Sequence, residues 1–399
     1  MTRALVALLA LLGVLSGSLP VGAQGPLRIG ASLSLTGEYG KIGKYQHEGY
    51  KLCEKDLNAR GGLLGRKVEF VVYDDQSMTS TAQRLYEKLI TEDKVDAVMG
   101  PYSSGITESV AGITEKYKKV MVAPLAATTS IFKKGRKYIF MVISPAEVYL
   151  EGLLDIAAKR GLKTVAVVNA DVLFTKTSAH ATVEMAKKRG MQVVFQEAYP
   201  PKNTDFSALL TKLRAANPDV VAASTYLEDA IALTRQMKEL NVNPKMYGVT
   251  VGGDLPEFYD LLKPKDSRGM RDNLGEYVYG ATQWDDELPY PGQKEFVAGY
   301  QKEFGREPVY HSAAAYAGCL IYAEAVKRAG TLDSDKVREQ LLRLETRTMF
   351  GDYKVDADGF QVAHKMVLFQ WQDGRKVTVW PDDLAAGKPR VPTPPWNQR

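Results

Sequence analysis

From residue 27 onward, short apolar runs alternate with stretches whose apolar residues recur every three to four positions. The runs at 27–33, 68–73, 97–100 and 120–124 read as strands. Each is too short for a helix and is bounded by Gly, Pro or polar turns. Residues 43–58, 79–92 and 105–117 carry helical spacing. In the first of these Gly49, Leu52, Cys53, Asp56 and Leu57 share one face, and Gly61-Gly62 ends it. The order βαβαβαβ predicts a parallel sheet covered by helices on both faces. The rhythm then restarts, with strands at 165–169, 193–196, 220–224 and 246–251 and helices at 177–189, 206–216 and 230–240. No residue-level repeat links the halves, so the duplication is one of architecture. Helices at 295–304, 313–329 and 334–344 follow. Short antiparallel strands at 353–355, 367–371 and 376–380 come next, the last two around the Asp373-Gly374 turn. The Pro-rich tail, 381–399, reads as a wrapped or loose end.

The first residues have a different pattern. Arg3 precedes an apolar run from Ala4 to Leu15, Ser16-Gly17-Ser18 and Pro20 break it, and Val21-Gly22-Ala23 offers small residues for cleavage. This is the layout of a secretory signal peptide over residues 1–23, too short and too interrupted for a membrane anchor. No Cys follows the cleavage site to carry a lipid, so a periplasmic protein is expected. The remaining 376 residues exceed one compact domain, and two is the prior. With 45% hydrophobic and 25% charged residues, the chain is neither disordered nor a disulfide-framework miniprotein. The net charge of +5 is spread out, with no basic stripe interleaved with aromatics, so no nucleic-acid partner is expected. Cys53 and Cys319 lie in predicted helices nearly a chain length apart. An oxidising compartment would permit a bridge, but two free, packed thiols are the expectation.

Catalytic signatures are missing. There is no phosphate loop, no dinucleotide fingerprint, no nucleophile elbow and no His-Glu-x-x-His, and the glycines at 37–43 fit none of these. The four histidines have no ligand spacing, so neither metal nor cofactor is expected. Asp74-Asp75 and Asp285-Asp286 read as solvated turns. Binding chemistry is better placed, because open α/β sheets hold ligands at the carboxyl ends of their strands. There, Gly100-Pro101-Tyr102-Ser103-Ser104-Gly105 brings hydroxyls and free backbone N–H groups to a helix N-terminus, a carboxylate-sized anion site. The competing reading is that Ser103 or Ser104 only caps its helix. After the next strand, Leu125-Ala126-Ala127-Thr128-Thr129-Ser130 is either a ligand loop or an ordinary polar turn.

Leu35-Thr36-Gly37, the segment 56–62 (Asp-Leu-Asn-Ala-Arg-Gly-Gly) and Tyr73-Asp74-Asp75 resemble the start of leucine/isoleucine/valine-type periplasmic solute-binding proteins. The loops at 100–105 and 124–129 resemble that family's two substrate loops, and the likeness runs in order from about residue 27 to 380. The resemblance implies a type I periplasmic binding protein, an α/β fold of two doubly wound parallel-sheet lobes joined by three hinge crossings. The lobes would be 27–143 plus 280–348 and 144–279 plus 349–380, with hinges near 141–146, 275–282 and 345–353. It further implies a ligand carboxylate held by Ser104 with Ala126, Ala127 and Thr128. Phe174, where the family often has Tyr, and Tyr226 would close from the second lobe, with Tyr102 and Ser103 beside them. The acid that the family offers to a ligand ammonium is replaced by Thr250. Leaving a buried charge without its partner costs on the order of 3–5 kcal/mol. Either Glu228 or Asp254 supplies the charge, or the ligand lacks an α-ammonium; Glu228 reads rather as a solvated helix residue. His311 could reach the cleft, but a packed or exposed role is expected.

The expected function is therefore capture of a small carboxylate, foremost a branched-chain-type amino acid, by a monomer that delivers it to ABC permease and ATPase subunits. The alternative ligand is an aromatic or other organic acid without the amine. A ligand-sensing receptor module is the alternative class, and an enzyme is not expected.

Overall fold

The computed structural model describes residues 25–263 and 273–399, so the predicted leader lies outside the described residues. The first lobe runs through β1 (Leu27–Leu33), α1 (Gly40–Ala59), β2 (Val68–Asp74), α2 (Thr79–Thr91), β3 (Ala97–Met99), α3 (Ser104–Lys116), β4 (Met121–Ala123), α4 (Thr129–Phe132) and β5 (Ile139–Met141). Its sheet is all parallel in the order β2-β1-β3-β4-β5. Six of the seven residues of β1 are buried without alternation, as a strand between two helical layers must be. The second lobe follows with α5 (Glu151–Lys159), β6 (Thr164–Ala170), α6 (Leu173–Lys188), β7 (Gln192–Tyr199), α7 (Ser207–Ala216), β8 (Val220–Ser224), α8 (Leu227–Glu239), β9 (Met246–Val249), α9 (Pro256–Leu261) and β10 (Tyr279–Thr282). The chain then makes α10 (Gln293–Phe304), α11 (Tyr310–Ala329), α12 (Ser334–Arg343), the hairpin β11 (Thr346–Thr348) and β12 (Gly351–Tyr353), and finally β13 (Val367–Gln372) and β14 (Arg375–Trp380). The second sheet is ordered β14-β13-β10-β9-β8-β6-β7. Its parallel part repeats the first lobe's order, and β13 and β14 extend it as antiparallel strands.

Sequence patterning misses β5 and β10, which have three and four residues. It also starts several helices late, among them α6, which begins at Leu173, and α11, which begins at Tyr310; this brings Phe174, Tyr310 and His311 into first helical turns.

The boundaries between lobes differ from those expected. β10 belongs to the second sheet, so the second crossing starts at Gln283. Residues 349–360 stay with the first lobe: the Met141 N–H donates to the Gly359 carbonyl (2.8 Å), and Lys133 pairs with Asp356 and Asp358. The third crossing is then 361–366. The three crossings are joined by buried side chains. The Ser144 N–H donates to Gln283 Oε1 (2.9 Å), and Gln283 Nε2 donates back to the Ser144 carbonyl (3.3 Å). Ser144 Oγ reaches His364 Nδ1 (2.9 Å) and the His364 carbonyl (3.0 Å), and Gln361 Nε2 donates to the Val142 carbonyl (3.0 Å). The C-terminal tail is the wrapped end of the two alternatives. Trp396 Nε1 donates to the Val242 carbonyl (2.7 Å) and the Thr393 N–H to that of Lys245 (2.8 Å) on the second lobe.

The expectation of two free thiols is overturned: Cys53 and Cys319 form a disulfide with Cα atoms 6.3 Å apart. α11 returns from the second lobe to lie along α1, which no local pattern announces. Gly49 permits the approach, since a Cβ there would stand 2.3 Å from the Ser312 carbonyl oxygen. The bond closes a loop of 266 residues, so it restricts the unfolded chain strongly. Replacing both cysteines by Ala is expected to lower unfolding stability by roughly 2–5 kcal/mol in guanidinium titrations. An unchanged midpoint would show that packing of α11 on α1 suffices alone.

Candidate functional site

The carboxyl ends of β3 and β4 in the first lobe face those of β6, β8 and β9 in the second, and the cleft between them is nearly filled by its own side chains, with a free volume of about 10 Å³. On the first-lobe side, the loop after β3 is fixed from beneath. Gln46 Nε2 (2.9 Å) and the Tyr50 hydroxyl (3.1 Å), both from α1, donate to the Gly100 carbonyl. Ser103 caps α3, its Oγ accepting the Ile106 N–H at 3.3 Å, and it does so at φ 71°, a conformation a side chain rarely adopts. Ser104 is not the cap. Its Oγ accepts the backbone N–H groups of Ala127 (3.1 Å) and Thr128 (3.2 Å), which ties the two loops together. With both lone pairs engaged, the hydroxyl proton is left to donate, at the positive end of a 13-residue helix. Thr128 Oγ1 beside it is buried without a partner.

Of the expected residues, Tyr102, Ser103, Ser104, Ala127, Phe174 and Tyr226 line the cleft together. Ala126 is buried next to Ala127, but its N–H group's neighbours on the loop, those of Ala127 and Thr128, are already bound to Ser104. Tyr149 and Tyr310, with Leu125, Ile143 and Val251, complete the wall and were not anticipated. Tyr149 sits in a crossing and Tyr310 in a helix start, places where no strand-end rule points. The aromatic rings meet across the lobes. Tyr226 lies 4.9 Å from Tyr39, 6.4 Å from Tyr102 and 5.8 Å from Phe174, and Phe174 meets Tyr149 edge-on at 4.9 Å between centroids. None of the described lining residues is Lys or Arg, so an anion would be held by neutral donors.

Thr250 does not face a ligand. Its hydroxyl accepts the Thr225 N–H (2.9 Å) and donates to the Thr225 carbonyl (3.0 Å), pinning the end of β8 to that of β9. Glu228 is a rim residue, as its solvated reading implied, and pairs with Lys41 of the first lobe at 2.7 Å. Asp254 is different. It is 1% exposed, and neither carboxylate oxygen has a well-aligned hydrogen bond. Burial pushes its pKa up to about 7; Lys376 and the nearby N–H groups of Gly252 and Asp254 itself pull the other way. Its charge acts on the Tyr102, Tyr149 and Tyr310 hydroxyls, three of the cleft's walls. His311 is wholly buried, stacked 3.8 Å from the Tyr310 ring, with neither nitrogen partnered and its pKa pushed down to about 3 by burial. Among the described residues no group of three or more His, Cys, Asp or Glu is placed to hold a metal ion, and no helix is long and apolar enough to cross a membrane.

Two α/β lobes of the same strand order thus meet at their carboxyl edges around this cleft. The chain belongs to the periplasmic binding protein family, which it matches over residues 26–376. It is 26% identical over 410 residues to Leu/Ile/Val-binding protein homolog 7 of Brucella suis biovar 1 (strain 1330), an alignment covering 98% of this chain and all of the relative. Its fold is that of the branched-chain amino acid transporter substrate-binding protein LivJ from Streptococcus pneumoniae in complex with isoleucine (TM-score 0.79, 21% identity, 89% of this chain and 100% of the other). It is also that of an R. palustris ABC-transporter solute-binding protein in complex with benzoate (TM-score 0.77, 19% identity, 89% and 96%).

The pH dependence of stability isolates Asp254. A carboxyl held near pH 7 in the folded state keeps a proton that the unfolded chain has released, so its contribution to stability falls between about pH 4 and pH 7 and is level above. His311 and His364, pushed down to about 3 and about 4, contribute stability that is instead lost as pH falls below about 6.5. Comparing Asp254→Asn with wild type cancels the histidines. The variant without ligand is expected to melt higher above pH 7, with the gap closing toward pH 4. A gap that does not change with pH would mean the carboxylate is solvated.

Proposed function

We infer that this protein is an exported binding protein that closes its two lobes on a small carboxylate and presents it to the permease and ATPase subunits of an ABC importer, with an amino acid of the branched-chain type as its ligand. The observation that carries this reading is the hydroxyl of Ser104, whose lone pairs are filled by the Ala127 and Thr128 amides so that its proton is the free one. The α3 N-terminus and the unpartnered Thr128 hydroxyl reinforce it as an anion site. Asp254, buried and without a hydrogen-bond partner, supplies the acid that Thr250 lacks and would take up a ligand ammonium. In this reading the ligand resolves two buried groups that are costly when the cleft is empty. Closure follows because the anion site is on one lobe while Tyr226, Phe174 and Asp254 are on the other, so only the closed arrangement satisfies both ends.

The second reading, an aromatic acid without the amine, is favoured by the ring-rich walls and by a Thr250 hydroxyl bound to backbone. There Asp254 would stay protonated. L-isoleucine and benzoate separate the two. Ligand at 100-fold its Kd adds about 2.7 kcal/mol to stability, a clear thermal shift. Ser104→Ala is expected to weaken the ligand that binds by about ten- to a hundredfold in calorimetric titration, the cost of a hydrogen bond to a charged group. Asp254→Asn should abolish isoleucine binding and spare benzoate. Full affinity in the Ser104 variant would remove the carboxylate from that loop.

A further inference from the structure

We propose that the first turns of α1 form a latch: Lys41 and Tyr45 hold the ligand-free lobes shut across the rim, so ligand affinity is set in part by residues outside the cleft. The proposal rests on reading the protein as one whose two lobes part to admit a ligand. Lys41 and Tyr45 are one helical turn apart and share a face of α1. Both meet the second lobe. Lys41 Nζ pairs with Glu228 Oε1 at 2.7 Å, in the first turn of α8. The Tyr45 hydroxyl donates to the Glu257 carboxylate, 3.3 and 3.4 Å from its two oxygens, in the first turn of α9. Just ahead of the helix, the Tyr39 ring lies 4.9 Å from that of Tyr226. One helix end thus touches the starts of two helices opposite.

The two contacts are not equal. Lys41 and Glu228 are both largely exposed, so water and salt screen their pair. Tyr45 is 2% exposed, and its ring is fixed from its own lobe. The Arg306 guanidinium lies 3.9 Å from the ring centroid. Arg306 in turn donates through Nε (3.1 Å) and Nη2 (2.7 Å) to Glu48, which also accepts the Tyr300 hydroxyl. The Tyr45 hydroxyl is therefore aimed by first-lobe residues alone, and little freedom is lost when it meets Glu257. Inside the rim, Tyr226 packs against Tyr39, Tyr102 and Phe174, and the free volume of about 10 Å³ is room for about one water molecule. Neither an amino acid nor an aromatic acid can enter this arrangement. Ligand and latch therefore compete, and apparent affinity is reduced to the share of molecules that stand open.

The test combines lobe geometry with binding. Nitroxide labels on Ser80→Cys and Ala208→Cys, exposed positions of the two lobes, report the ligand-free lobe separation; the native cysteines are bonded to each other and do not compete for label. In that background Tyr45→Phe and Lys41→Glu are each expected to shift the distribution toward longer distances. The reversed pair, Lys41→Glu with Glu228→Lys, should bring it back, which a misfolded variant could not do. L-isoleucine and benzoate are then titrated calorimetrically. Tyr45→Phe is expected to tighten the probe that binds by about two- to tenfold, a gain that damage to the fold does not produce. Unchanged distances in Tyr45→Phe overturn the latch. A Lys41→Glu variant that shifts nothing, or a reversed pair that restores nothing, removes the ion pair from it. Longer distances with equal or weaker binding overturn the competition, since the same contacts would then be made around the ligand. A wild-type protein that binds neither probe overturns the carboxylate reading, and the label distances alone then decide the latch.

Discussion

The return of α11 onto α1 is the contact on which the rest of this structure depends. A chain that builds one sheet, crosses to a second and then comes back must be held at the point of return, or the lobes have no fixed relation. Here the hold is a helix buried along most of its length, brought close by Gly49 and tied covalently through Cys53 and Cys319. The same helix begins with Tyr310 and His311 behind the cleft, so the element that restores the first lobe also supplies a wall of the site. Its middle passes over the sheet at Gly318, where a Cβ would already touch Pro124 at 3.1 Å. The loops that follow β3 and β4 leave strands that this helix covers.

In and around the cleft, the polar side chains differ in which lone pairs the protein has already filled. Ser104 accepts two amides and keeps a proton, while Thr250 both gives and accepts within the backbone and has no proton left. Two hydroxyl residues that look alike in sequence are thus opposite in what they have left to offer, and the difference is entirely a matter of neighbours. The carboxyl of Asp254 is the complement: a buried acid with no well-aligned hydrogen bond is costly unless it is protonated or meets a cation. No Lys or Arg stands among the described lining residues, so no cation of the wall itself competes with its polar groups.

The sequence by itself determined a good deal. The alternation of short apolar runs with helical spacing dictates two doubly wound α/β units, because a strand buried on both faces cannot alternate and a covering helix must. The loops that end β3 and β4 were legible for the same reason: small and hydroxyl residues at strand ends, ahead of helices, are positions where a backbone can meet a ligand. What only the tertiary structure decided was everything set by residues far apart in the chain. The disulfide joins positions 266 residues apart, side-chain hydrogen bonds gather Ser144, Gln283 and His364 from three crossings, and Tyr149 and Tyr310 line the cleft with Phe174 and Tyr226 from segments with no shared pattern. Local periodicity reports which face of an element is buried, not which element buries it. For that reason the fold was written along the chain, while the chemistry of the cleft was fixed only when the lobes came together.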